Sequence, residues 1–152
     1  MIYIGADHGG FKFKEKIKEF LKKSEIEFED LGNLVYDPHD DFPIFAFKVA
    51  EKVAQTGEKG ILVCTTGLGM AMAANKIKGI RAVSVTTKKA AQQSREHLNA
   101  NILCLGANFV SFSAAKKIIR IWLNTDFIQA EKYIRRLKQI EEKENATHSN
   151  NK

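Results

Sequence analysis

The sequence is poor in cysteine, proline and tryptophan, and it lacks long apolar runs. Its two cysteines, Cys64 and Cys104, both fall in stretches that read as buried strands. They form no disulfide framework, and a reducing cytoplasm is the expected location. The absence of any Cys-x-x-Cys pair excludes a thioredoxin-type redox site. No apolar stretch approaches the roughly 18 residues needed to cross a bilayer, so no membrane partner is expected. The opening MIYIGADHGG has neither a basic n-region nor a cleavage-like site, and no signal peptide is expected. Zinc-finger spacing and the aromatic signature of RNA-binding modules are missing as well, which argues against nucleic acid.

What is present suits one domain of ordinary size, 152 residues with 44% hydrophobic and 28% charged positions. That domain is expected over residues 1–144, with a polar tail at 145–152. The formal charge is +6. Lys12, Lys14, Lys16, Lys18, Lys22 and Lys23 crowd one predicted helix, and their simplest reading is a solvated surface, with an anionic small substrate as the alternative.

Strand and helix signals alternate along the chain. MIYIGA, IEFEDLG, GILVC, IRAVSV and NILCLG read as five strands. Between them lie helical stretches, the first with Phe13, Ile17, Phe20 and Leu21 at helical spacing. Both prolines sit in the loop NLVYDPHDDFP, where Pro43 suits a first helical turn capped by Asp40 or Asp41. Thr86 or Thr87, and Ser111, are expected to cap later helices, and DFIQAEKYIRRLKQIEEKE is expected to form the last one. The strands are continuous apolar runs, as in sheets covered on both faces. The prediction is a parallel three-layer α/β/α sheet, in which ligands gather where the strands end. Asp7 and His8 after the first strand, and Cys64 to Gly69 after the third, belong to that edge.

The stretch VCTTGLGMAMAANK matches none of the common loops. A Walker A loop needs Gly-Lys-Ser/Thr, but Gly69 is followed by Met70. A dinucleotide fingerprint needs a third small residue where Met72 stands and an acid further on, and residues 88–95 offer none. A cysteine phosphatase would need an arginine closing the loop. What remains is a thiol before a loop of exposed amides at a helix start, an arrangement that favours anions and thiolates. Cys64 then reads as nucleophile or general base, or simply as a small buried strand residue. Asp7-His8 reads as a polar pair facing the same cleft or as helix capping. His97 reads as a functional histidine or as a surface residue at a helix end. His39, beside Asp37, Asp40 and Asp41, lacks the spacing of a fixed metal-ligand set.

Four stretches together resemble the type B ribose-5-phosphate isomerases and the related galactose-6-phosphate isomerase subunits: IGADHGGFKFKEKI, DFPIFAFKVAEKV, GILVCTTGLGMAMAANKIKGIRAV and SREHLNANILCLGANFV. The resemblance extends over residues 2 to about 140. The resemblance implies a Rossmann-like fold with a five-stranded parallel sheet and an extra C-terminal helix. It also implies a homodimer, or a dimer of such dimers, with its site between two subunits. The implied activity is cofactor-free and metal-free aldose–ketose isomerisation of a phosphorylated sugar. By position, Cys64 would be the base that moves a proton between C2 and C1. Thr66 and the loop Thr65, Gly67, Leu68 and Gly69 would hold substrate and oxyanion. His97 would open the sugar ring with help from Asp7, and His8 and Arg135 would bind phosphate.

Several positions depart from that pattern. Thr65 stands where glycine is usual and Phe42 where tyrosine is usual. Leu98 replaces an asparagine, Asn108 an arginine, and Glu131 the first of two phosphate-binding arginines, a carboxylate that would repel phosphate unless Lys132 or Arg136 takes the arginine's place. These departures leave galactose 6-phosphate or allose 6-phosphate as alternative substrates, and a non-catalytic sugar-phosphate-binding role as a third reading.

Overall fold

Strand β1 (Ile2–Ala6) is buried along its whole length, as the unbroken apolar run requires. It lies inside a five-stranded sheet with β2 (Phe28–Asp30), β3 (Lys59–Cys64), β4 (Ala82–Ser84) and β5 (Ile102–Gly106), in the order β2-β1-β3-β5-β4. Every pairing is parallel. The computed structural model describes residues 1–149.

The helices are α1 (Phe11–Lys23), α2 (Phe42–Thr56), α3 (Leu68–Ala74), α4 (Lys88–Leu98), α5 (Phe112–Leu123) and α6 (Glu131–Ser149). Alternation along each strand divides the core in two. Ile4, Ile61, Val63 and Leu103 face Ile17 and Leu21 of α1, Ala91 of α4 and Trp122 of α5. Tyr3, Leu62, Cys64 and Cys104 face Val49 and Ala50 of α2 and Met70 and Ala74 of α3. The doubly covered sheet is the architecture expected from the sequence. The two short strands, β2 and β4, are the outer ones, where a short span limits exposed backbone.

Thr87 and Ser111 cap α4 and α5 by accepting from the N–H of Ala90 and Ala114 at 3.1 and 3.2 Å, contacts worth about 1 kcal/mol each. Pro43 sits in the first turn of α2 as expected, but Asp41 makes no side-chain cap bond there. Helix α3 is shorter than the pattern suggests. It stops at Asn75, whose side chain instead clamps β4 through both the N–H and the C=O of Ala82 at 2.8 Å.

Helix α6 starts five residues later than expected, because the preceding segment is held against α4, with Ile128 N–H donating to Glu96 O. It then continues through Ser149, so the first part of the expected tail is helical. Residues 150–152 of that tail lie outside the described residues. Lys14 corrects the solvated-surface reading of α1. Its side chain is fully buried, and its ammonium donates to both oxygens of Asp30 and to Asn33 O, all at 2.7 Å.

Candidate active site

In the pairing of β1 with β3, Ala6 lies opposite Val63, so the next residues, Asp7 and Cys64, leave the sheet side by side. On the other side of β3, Cys64 lies opposite Gly106. The loop after β5 closes on the loop after β3, through Ala107 N–H to Cys64 O at 2.9 Å and Asn108 N–H to Thr65 O at 3.0 Å. The edge where the strands end thus collects Asp7, His8, Cys64 to Gly69 and Asn108, as the switch-point rule predicts.

Three glycines allow this close approach. A Cβ on Gly10 would collide with the backbone of Val63, and one on Gly9 with Oγ1 of Thr65. Gly67 has φ 77°, the left-handed region that glycine enters without strain, and it turns the chain from β3 into α3. Its N–H donates to Cys64 Sγ at 3.0 Å. The sulfur therefore has a fixed donor that favours negative charge on it. Thr66 Oγ1 accepts from Leu68 N–H at 3.3 Å, and its own hydroxyl hydrogen remains a donor. Phe42 packs its ring over Gly69.

Asp7 is buried and accepts from Gly10 N–H at 3.0 Å. Burial raises its pKa above the ordinary carboxylate value, and the Gly10 bond and neighbouring His8 only partly offset this. His8 is exposed, and its Nδ1 lies 2.7 Å from Asp40 Oδ1, which also accepts from His8 N–H at 2.8 Å. That bond raises the His8 pKa. Asp40 itself is pulled the other way. Burial acts to raise its pKa, but the bonds from His8 N–H, Asn33 and the His8 ring outweigh it and hold the pKa below the usual range.

Asp40 was an expected helix cap, and its actual role was not legible from local sequence. The route to His8 runs from buried Lys14 through half-buried Asp30, Asn33 and Asp40. Lys14 holds Asp30 and Asn33 O, Asp30 accepts from Gly32 N–H, and Asn33 Nδ2 donates to Asp40 Oδ2 at 2.8 Å. The only sequence signal was a basic residue at an inward position of α1. Ligand-capable atoms of Asp7, His8 and Asp40 lie within 4.8 Å of one another. Both Asp40 oxygens and one Asp7 oxygen already accept hydrogen bonds, which leaves little capacity to hold a metal ion. His39 is outside this group, and its N–H closes a turn on Asp37.

His97 and Arg135 are not brought to this edge. His97 ends α4, just before β5 begins at Ile102, so the length of β5, roughly 16 Å, separates it from the level of Cys64. Its ring stacks on Tyr133 of α6, with centroids 4.5 Å apart. Arg135 is exposed and pairs with Glu131 one turn earlier, at 2.5 and 2.7 Å. Within one chain, the residues expected to do the chemistry therefore form two groups, one at each end of the sheet.

Residues 2–140 match the family model described as Ribose/Galactose Isomerase. A protein of Mycoplasma genitalium named "Probable ribose-5-phosphate isomerase B" is 43% identical over 141 residues, 91% of this chain and 92% of that protein. A solved ribose-5-phosphate isomerase B of Clostridium thermocellum superposes with a TM-score of 0.92 at 42% identity, over 96% of this chain and 98% of that one. The solved ribose-5-phosphate isomerase B of Mycoplasma genitalium, described with bound ribulose-5-phosphate, gives 0.90 at 42% identity, over 95% of each chain.

Proposed function

The chain belongs to the ribose/galactose isomerase family, and on that premise we propose that it interconverts ribose 5-phosphate and ribulose 5-phosphate without a cofactor. The observation that carries this reading is the Cys64 thiol, set beside Asp7 at the strand ends, with the Gly67 amide aimed at its sulfur. In the forward direction Cys64 takes the proton from C2 of the open-chain aldose. The C2–H electron pair becomes the C1–C2 double bond of an enediolate, and charge moves onto O1. The Thr66 hydroxyl and the loop amides supply donors for that oxygen. Cys64 then returns the proton to C1, and transfer of the O2 proton leaves a ketone at C2. A base on one face serves both carbons, so no external acid is consumed.

Ring opening needs a proton for the ring oxygen, and His97 is the group in this chain suited to give it. The topology keeps it from its own Cys64, so the site is completed by the partner subunit's His97 in a homodimer. Exposed Ile44 and Phe47 on α2 and Leu68 and Met72 on α3 flank the catalytic loop and provide an apolar surface for that contact. His8, held by Asp40, supplies a cationic donor for the phosphate. Arg135 would have to leave Glu131 to do the same. Two buried free thiols fit a reducing cytoplasm. The altered Leu98 and Asn108, both exposed, favour a hexose 6-phosphate as the second reading.

The deciding assay is turnover of ribose 5-phosphate beside galactose 6-phosphate and allose 6-phosphate, in the wild type and in Cys64→Ala. We expect the pentose to be preferred and its turnover to fall by ~10²–10⁴-fold in the variant, with the fold retained. Unchanged turnover in Cys64→Ala removes the thiol from the mechanism. Preference for a hexose replaces the substrate.

A further inference from the structure

The edge where the strands begin carries a cluster of cations that the isomerase reading does not use. Lys59 opens β3, Arg81 precedes β4 and Arg95 lies in the last turn of α4. With Lys78 they line a cavity of about 320 Å³. The one carboxylate in its wall, Glu58, is engaged by the N-terminal ammonium at 3.2 Å. Among the described residues, none of the four cations forms an ion pair.

Arg95 is only 7% exposed, and its neighbours are neutral oxygens: Thr125 O, Asn99 Oδ1 and Ala100 O. Arg81 likewise spends its Nε and one terminal nitrogen on Asn99 O and Gly79 O. Among the described residues, each guanidinium keeps its second terminal nitrogen without a hydrogen-bond partner, and Lys59 has only a long contact, 3.4 Å, to Leu123 O. Trp122 lies in the same corner, with Lys59 Nζ and Arg95 Cζ at 5.8 and 5.7 Å from its ring centre. Its buried Nε1 has no hydrogen-bond partner. Burial opposes the charge on Lys59, Arg81 and Arg95, and the like charges of Arg95 on Lys59 and Arg81 on Arg95 add to it, while the more distant carboxylates of Glu58, Asp126, Glu141 and Glu144 offset only part of it.

Carbonyl dipoles orient a guanidinium but do not neutralise it, and charge that is only partly compensated and held wholly or partly away from water is costly. An anion in the cavity would remove that cost and meet unused N–H donors in a geometry that suits phosphate oxygens. We propose that this cavity is an anion site for inorganic phosphate or the phosphate group of a small phosphate ester, at the sheet edge opposite Cys64. The volume holds a phosphate and a short carbon chain. The inference stands apart from the isomerase reading, because that reading gives none of the four cations a role, although it uses His97 of the same edge.

The test follows the Nε–H resonances of Arg81 and Arg95 by ¹⁵N NMR, as inorganic phosphate replaces chloride at constant ionic strength. Saturable shifts are expected. Lys59→Met should weaken them by roughly ten-fold or more, the loss of one charge-assisted contact, and leave kcat and KM for the sugar phosphate unchanged. Lys78→Met, at an exposed position, gives the same comparison if Lys59→Met does not fold. Shifts that never saturate, or that chloride reproduces, would overturn the proposal. So would a rise in KM in either variant, which would assign the cations to a composite active site.

Discussion

Where the strands end, carboxylates are matched to donors. Asp7 takes the Gly10 amide, and Asp40 takes the His8 ring and the Asn33 amide. Where the strands begin, Lys59, Arg81 and Arg95 crowd together, and the carboxylate in their cavity wall, Glu58, is bonded to the N-terminal ammonium instead. Both edges belong to one sheet of 5 strands and to the same pair of cores. One edge is organised by long-range hydrogen bonds that settle each charge within the chain. The other leaves charge unsettled and a cavity open. The lesson is that the proposed catalytic edge is marked by how completely its carboxylates are held, and the proposed anion site by what its groups still need.

The sharpest way to break this contrast is to ask whether the two edges meet across subunits. Cys64→Ala and His97→Asn should each be inactive alone. Mixed and allowed to exchange, they should recover about one quarter of wild-type activity, since half of the dimers would pair unlike chains and half of those sites would be intact. Mixing that restores nothing would mean that His97 acts without a partner, or not at all.

A second test attacks the support beneath the catalytic edge. Lys14→Met removes a buried ammonium that three oxygens share, and although Lys18 still reaches Asp30 at 2.6 Å, thermal or urea unfolding should show a loss of about 3 kcal/mol. A loss below about 1 kcal/mol would make the pair no better than a surface bridge.

The smallest expected effect sharpens the role of Asp40. Asp40→Asn should raise KM for the sugar phosphate by roughly ten-fold through loss of a charged hydrogen bond, with little change in kcat. The pH profile should move as well. Asp40 raises the His8 pKa above 6.5, so the proton on the ring stays to higher pH in the wild type. Its contribution is fully present below 6.5 and fades as pH rises through the raised value. In the variant, the alkaline fall in kcat/KM should shift down toward 6.5. A profile that does not move would show that His8 binds substrate as the neutral ring.

Much of this organisation is legible from residue order. The run GILVC forecasts a strand covered on both faces, and the Gly-rich turn after it forecasts backbone packed too tightly for side chains. Thr87 and Ser111 announce their helices because a cap acts over three residues. Asp40 shows where such reading stops. Its partner His8 lies 32 residues away, and no local pattern encodes a bond that depends on how a loop returns to the sheet. Lys14 is similar, since six lysines in one helix look alike until the register of the helix against β2 buries one of them. The separation of His97 from Cys64 is legible only once strand direction is fixed, because a motif tells what a residue can do and topology tells where it stands. The cation cavity is assembled from β3, α4 and the approach to β4, three segments whose charges read singly as ordinary surface.

The close fit of Thr65 over Gly9 also constrains how this chain can change by descent. Oγ1 of Thr65 fills the space that any side chain at position 9 would require, and the Thr65 amide is a further 3.1 Å neighbour of that space. With threonine at position 65 a side chain at position 9 forces the hydroxyl aside, whereas with glycine there only the 3.1 Å backbone neighbour must adjust to accept alanine. The two sites are epistatic. A side chain at position 9 is admitted only where Thr65 rotates away or is replaced by a smaller residue.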